Sequence, residues 1–234
     1  MRKKKHGDER LAACSEFTAE KPEFSKDDTV WLEIGAGKGG FACGMSEKNP
    51  KVKYFAMERV TDCVVLAAEK AKSFKGEGRL GDLKFIIDTA DNLNLLFEKG
   101  SLDAIFLNFS DPWSKKGYAK RRLTHRRYLS VYFNLLKDGG TLTFKTDNVG
   151  LFDFTLEEIE AMGLGPIHMT RDLHSSEYME GNVVTEYEAA FSAQGIKINM
   201  VRVEKPSGFA PEISPELTAS ARIADSRRKS GDGN

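Results

Sequence analysis

The chain has 234 residues, 40% of them hydrophobic and 30% charged, which is enough to bury one substantial core and leads us to expect a soluble globular protein. Its 35 Lys and Arg balance 35 Asp and Glu, so net charge by itself gives no reason to expect a polyanionic partner, although such a sum hides local segregation. Cys14, Cys43 and Cys63 lack CxxC spacing, and no apolar run follows the basic first six residues; disulfide framework, zinc site, signal peptide and membrane span are therefore not expected, and a reducing cytoplasm is.

Short β-branched or aromatic runs alternate with longer amphipathic stretches. In chain order, the pattern predicts a strand over 29–34, a helix over 40–46, a strand over 54–58, a helix over 61–74 and a strand over 83–88. A helix over 91–97, a strand over 102–109 and a helix over 124–136 follow. Leu136-Lys137-Asp138-Gly139-Gly140 reads as a helix stop and turn, then a strand over 141–146 and a helix over 151–162 that ends at Gly163. This βα alternation implies an α/β fold with a mostly parallel sheet covered by helices on both faces. The last third reads as a strand over 167–173, a helix over 185–194 capped through Thr185-Glu186-Tyr187-Glu188, and a final strand over 196–204. One domain is expected over 11–205, with a flexible basic stretch over 1–10 and a disordered tail over 206–234.

Glu33-Ile34-Gly35-Ala36-Gly37-Lys38-Gly39-Gly40 closes the first strand and opens a helix, where glycines let the backbone turn sharply and approach a ligand. Glu58 ends the second strand about 20 residues later, where an acid accepts hydrogen bonds from ribose hydroxyls. NAD and S-adenosylmethionine both present such a ribose. Glu33 separates them: a carboxylate there repels a pyrophosphate but accepts from a methionine ammonium and complements a sulfonium. S-adenosylmethionine is therefore the expected cofactor.

Leu107-Asn108-Phe109-Ser110-Asp111-Pro112-Trp113 is an apolar run that ends in an acid, with proline and tryptophan stiffening its exit. Such a segment can deliver Asp111 to a ligand crevice and hold a flat base against Trp113; the plainer reading is a turn capped by Asp111 with Trp113 in the core. No acid occurs between Pro112 and Lys137, whereas Lys115, Lys116, Lys120, Arg121, Arg122, Arg126 and Arg127 cluster there. A run of this kind is often a solvated face, but beside a crevice it suits phosphate contacts that fix orientation. Asp147 ends the fifth strand on the same edge as Asp111. Thr185 and Glu188 suit a cap and a site equally, and His174 is read as a packed or exposed histidine rather than a base.

Together these segments resemble the bacterial tRNA (guanine-N7-)-methyltransferase family from about Trp31 to Val203. The resemblance rests on LEIGAGKGGF at 32–41, AMER at 56–59, LNFSDPWSKKGYAKRRLT at 107–124, GGTLTFKTDN at 139–148 and TEYEAAFSAQG at 185–195. It implies a Rossmann-like class I methyltransferase fold with a seven-stranded sheet, and methyl transfer from S-adenosylmethionine to N7 of a guanine in the tRNA variable loop. It also implies a cofactor set of Glu33, Gly35, Gly37, Gly39, Glu58, Thr89 and Asp111, with Asp111 catalytic. Lys115, Asp147, Thr185, Glu186, Tyr187 and Glu188 would hold the guanosine, while Gly117, Tyr118, Ala119, Lys120, Arg121 and Arg122 would touch RNA. Thr89 stands where the family usually carries Asp or Asn, leaving the adenine contact open between Asp88, Thr89 and Asp91. Ser114 replaces a frequent proline, and Gly117-Tyr118 a frequent Arg-His. Rival readings are an amino-group methyltransferase on another nucleic acid or protein, a nicotinamide dehydrogenase, and a non-catalytic RNA-binding module. Monomer and homodimer are not distinguished.

Overall fold

The computed structural model describes residues 7–218. A short helix, α1 (Gly7–Ala12), precedes a seven-stranded sheet: β1 (Val30–Ile34), α2 (Gly40–Lys48), β2 (Lys53–Met57), α3 (Thr61–Gly76), β3 (Leu83–Ile86), α4 (Leu93–Leu96) and β4 (Leu102–Asn108). The chain continues through α5 (Arg126–Leu135), β5 (Leu136–Thr146), α6 (Val149–Ala161), β6 (His168–Thr170), α7 (Glu186–Ser192) and β7 (Asn199–Glu204). The strands lie in the order β3-β2-β1-β4-β5-β7-β6; β1 to β5 run parallel, while β7 pairs antiparallel with both β5 and β6. The order reverses between β1 and β4, and a ligand crevice opens at the carboxyl ends of the strands at such a point.

The central strands β1, β2 and β4 are buried on both faces, so their side chains divide by parity between two cores. Val30, Leu32 and Ile34 of β1 join Ile105, Leu107, Leu129, Phe133 and Phe152 on the α5–α6 face. Trp31, Tyr54, Ala56 and Phe106 pack with Phe41, Ala67 and Ala71 beneath α2 and α3. Bidentate pairing of Arg126 with the buried Glu158 (3.0 and 2.9 Å) pins α5 to α6, which withdraws one cation from the basic run.

Several boundaries differ from expectation. The helix expected to start at 124 starts at Arg126, because His125 is its cap: the ring Nδ1 accepts from the Arg127 N–H at 3.2 Å. The strand expected over 167–173 shrinks to His168–Thr170 at the sheet edge. Gly7 to Arg10, expected to be flexible, lie in α1, where Arg10 clasps Glu69 of α3 at 2.7 and 2.6 Å. The tail is ordered well beyond Pro206. Phe209 meets the Phe133 ring at 5.9 Å, and Leu217 is buried in the α5-side core. A few well-spaced apolar residues suffice to fix a polar segment when a groove exists for them. Residues 1–6 and 219–234 of the two expected disordered stretches lie outside the described residues.

Candidate active site

A cavity of about 510 Å³ opens where β1, β2 and β4 end. Ile34, Gly35, Glu58, Thr89, Asn108 and Asp111 are among the residues that line it, so three strand exits and the turn after β3 converge as the sequence indicates. Glu58 closes the glycine loop onto β2: its Oε2 accepts from the Gly37 N–H at 3.0 Å and its Oε1 from the Val60 N–H at 2.8 Å. Gly35 and Gly37 have positive φ, 84° and 55°. Gly39 (φ 73°) sits against α3, where a Cβ would lie 2.7 Å from that of Ala67. Neither Gly37 nor Gly39 lines the cavity; they shape the loop that does.

Glu33 was expected in the same wall and is not there. Strand alternation sends Ile34 to the cavity and Glu33 to the other face, where it is 2% exposed behind Asn108. Asn108 Nδ2 donates to Glu33 Oε1 at 2.9 Å, and Oε2 is buried without a hydrogen-bond partner. Burial pushes this carboxyl up to about 7, against the opposing pull of Asn108 and the charge of Lys145. An unpaired buried acceptor is costly and invites a donor. Glu58, by contrast, stands at the mouth of the cavity and fits a ribose diol; the site therefore suits S-adenosylmethionine.

Asp111 stands on a turn built under strain. Among the described residues, only Phe109 (φ 51°) and Trp113 (φ 42°) are non-glycine residues with positive φ, and they flank Ser110-Asp111-Pro112. Such conformations persist where the surroundings over-determine them, which is typical of functional turns. The Asp111 carboxylate faces Arg59 at 3.6 Å and is largely exposed. Trp113 lines the cavity, and Arg121 lies over both its ring (5.1 Å) and that of Tyr118 (4.6 Å), forming a cationic, aromatic rim.

Of the expected RNA contacts, Gly117 to Arg121 fall in a short 3-10 turn, Lys116–Arg121, whose residues are exposed except the half-buried Ala119. Arg122 is turned inward. Its Nε and Nη2 donate to the carbonyls of Pro112 (3.0 Å) and Trp113 (3.2 Å), and its guanidinium lies over Phe154. Its structural work is to brace the Asp111 turn.

The expected guanosine set separates in the same way. Lys115 is exposed at the start of that turn. Thr185 caps α7, its Oγ1 accepting from the Glu188 N–H at 2.8 Å, and Glu186 pairs with Lys70. Glu188 is fully buried and saturated: Lys145 Nζ (2.7 Å), Asn182 Nδ2 (2.7 Å) and His174 Nε2 (2.9 Å) all bond its carboxylate. Burial alone would raise Glu188, but the charge and hydrogen bond of Lys145, with His174 and Asn182, hold it below the ordinary carboxylate range. Tyr187 remains exposed, tilted over Phe109 at 4.9 Å; partial desolvation of its phenol, and then the charge of Asp147, raise it above the ordinary tyrosine value. Lys145, Asn182 and the Asn108 link were missed in the sequence; only the parity shared by Asn108 and its register partner Lys145 could have signalled them.

Topology, the strand-end cavity and the glycine loop under Glu58 define the class: a Rossmann-like class I methyltransferase, dependent on S-adenosylmethionine. The chain belongs to the Methyltransf_4 family, described as "Putative methyltransferase", whose model matches residues 27–201. Among solved structures it is similar to the 16S rRNA methyltransferase KamB, at 12% identity over 83% of this chain and 94% of that one, TM-score 0.58. It is also similar to an antibiotic-related methyltransferase, at 19% identity over 87% and 95%, TM-score 0.55. A third is a point mutant of the 16S rRNA (adenine(1408)-N(1))-methyltransferase from Catenulisporales acidiphilia with its cosubstrate SAM, at 12% identity over 90% and 96%, TM-score 0.54. These likenesses concern the fold. No helix among the described residues is long and apolar enough to cross a membrane.

Proposed function

We propose that this methyltransferase transfers the methyl group of S-adenosylmethionine to N7 of a guanine in the tRNA variable loop. The observation that carries this reading is the position of Asp111, on a strained turn at the cavity mouth, between the donor crevice and the Trp113–Tyr118–Arg121 rim. The family, which contains tRNA guanine-N7 methyltransferases, and the motif at 107–124 support it further.

Guanine N7 carries an in-plane lone pair and needs no deprotonation, so no general base is required. Catalysis then consists mainly of holding N7 in line with the methyl group and the departing sulfur, which is proximity and orientation. S-adenosylmethionine supplies the activated methyl group. As it moves, positive charge passes from sulfur to the purine, and carboxylates facing the guanine N1–H and amino group stabilise it. Asp111 and Asp147 serve that role. Glu188 does not, because its oxygens are committed to Lys145, Asn182 and His174; it acts by fixing α7 and thus Tyr187. Exposed cations at Lys115, Lys116, Lys120 and Arg121 take the phosphates, and an extruded base rests on the aromatic rim.

The test is incubation of unmodified tRNA with radiolabelled S-adenosylmethionine, followed by nucleoside analysis. The expected label is N7-methylguanosine; label confined to another nucleoside overturns the substrate assignment.

A further inference from the structure

The segment following β7 crosses back over α5 and α4 and reaches the wall of the donor crevice. Leu217 is 1% exposed, and its carbonyl accepts from Asn94 Nδ2 of α4 at 2.9 Å. The adjacent Glu216 accepts from Arg127 Nη1 of α5 at 3.3 Å. Arg127 Nη2 in turn donates to the Tyr128 hydroxyl at 2.6 Å, and that hydroxyl donates to Asp91 Oδ1 at 2.8 Å. Arg127, Tyr128 and Asp91 all line the crevice, beside the apolar Ile34, Met57 and Leu123. Flat apolar surface edged by one acceptor and one donor is what a purine ring system binds.

Arg127 is not placed for stability alone. Its Nε is buried with no hydrogen-bond partner, a cost that an arginine chosen only to hold α5 would avoid. The chain from Glu216 to Asp91 also joins elements far apart in sequence, the turn before α4, α5 and the C-terminal segment, at a single wall. We propose that Arg127 is a positioning residue of the donor crevice, and that the C-terminal segment sets it: Glu216 holds the guanidinium while Leu217 locks α4 to α5. The wall of Arg127, Tyr128 and Asp91 thereby keeps the shape that receives the adenosine end of the donor. This rests on the crevice being the donor site and is independent of which base is methylated.

The experiment uses full-length protein carrying Arg127→Gln, Glu216→Gln or Leu217→Ala, with Glu58→Ala as the reference. S-adenosylhomocysteine is titrated calorimetrically, and steady-state kinetics are measured with RNA saturating. Arg127→Gln and Leu217→Ala are expected to raise Kd and the donor KM on the order of tenfold. Their kcat and RNA retention stay near those of the parent, and the surface substitution Glu216→Gln gives a smaller shift in the same direction. A donor KM unchanged in Arg127→Gln, or a raised KM accompanied by loss of both kcat and melting temperature in that variant, overturns the positioning role. If Glu58→Ala also binds S-adenosylhomocysteine as the parent does, the donor-site reading itself is what has failed.

Discussion

Lys145 on β5 and Glu188 on α7, 43 positions apart, form an ion pair of 2.7 Å that excludes water, the lysine 3% and the glutamate 0% exposed. Lys145 also donates to Asn182 Oδ1 at 2.9 Å and lies 4.8 Å from the Phe41 ring centroid, so one ammonium ties the sheet to α2, α7 and the loop before α7. Breaking a buried pair strands a charge, whereas replacing both partners need not.

Lys145→Met should therefore destabilise the protein by about 3–5 kcal/mol, and Lys145→Met with Glu188→Leu by much less. Urea denaturation of both variants checks this. The sign of the pH effect follows from the depressed Glu188 carboxyl: its contribution is complete above the ordinary carboxylate range and is lost as pH falls through its own lower value.

Glu33 behaves in the opposite sense. With its carboxyl raised to about 7, the ligand-free fold binds an extra proton between the unfolded value and that pH, so stability declines as pH rises through this window. Glu33→Gln should be more stable than the parent at pH 8, by at most about 3 kcal/mol, and the difference should vanish near pH 4. Melting curves of both proteins across pH 4–9 check this.

Asp111→Ala should abolish methyl transfer while RNA retention on a filter stays close to that of the parent. The side chain is exposed and its ion-pair partner Arg59 is at the surface, so folding should change by less than about 0.5 kcal/mol. Unchanged turnover would remove it from catalysis.

The two neighbouring arginines should part company. Arg121→Gln should weaken RNA binding and reduce the slope of log affinity against log salt by about 1. Arg122→Gln should act through the turn instead, lowering turnover because the carbonyls of Pro112 and Trp113 lose their donor. Equal salt slopes for both variants would contradict this division.

Most of the fold was legible because its signals are local. The glycine loop, the five parallel strands and the cap at Thr185 each follow from a few adjacent residues, and Glu58, Thr89 and Asp111 meet at one crevice as their strand ends imply. What was not legible depends on partners distant in sequence. Parity along β1 already assigns Ile34 and Glu33 to opposite faces, but only the packed sheet shows Asn108 standing between Glu33 and the cavity. Arg122 and Arg126 read as solvated cations until the carbonyls and the glutamate that engage them are in place. The C-terminal segment looked unstructured because Phe209 and Leu217 matter only when α5 and α4 offer them a groove.

The paired left-handed joints at Phe109 and Trp113 have a corollary. Glycine at either joint would relax the backbone, yet it would surrender an aromatic ring with its packing and loosen the hold on the acid between them. The turn thus accepts a backbone cost in exchange for two rings and a fixed direction for the carboxylate they flank.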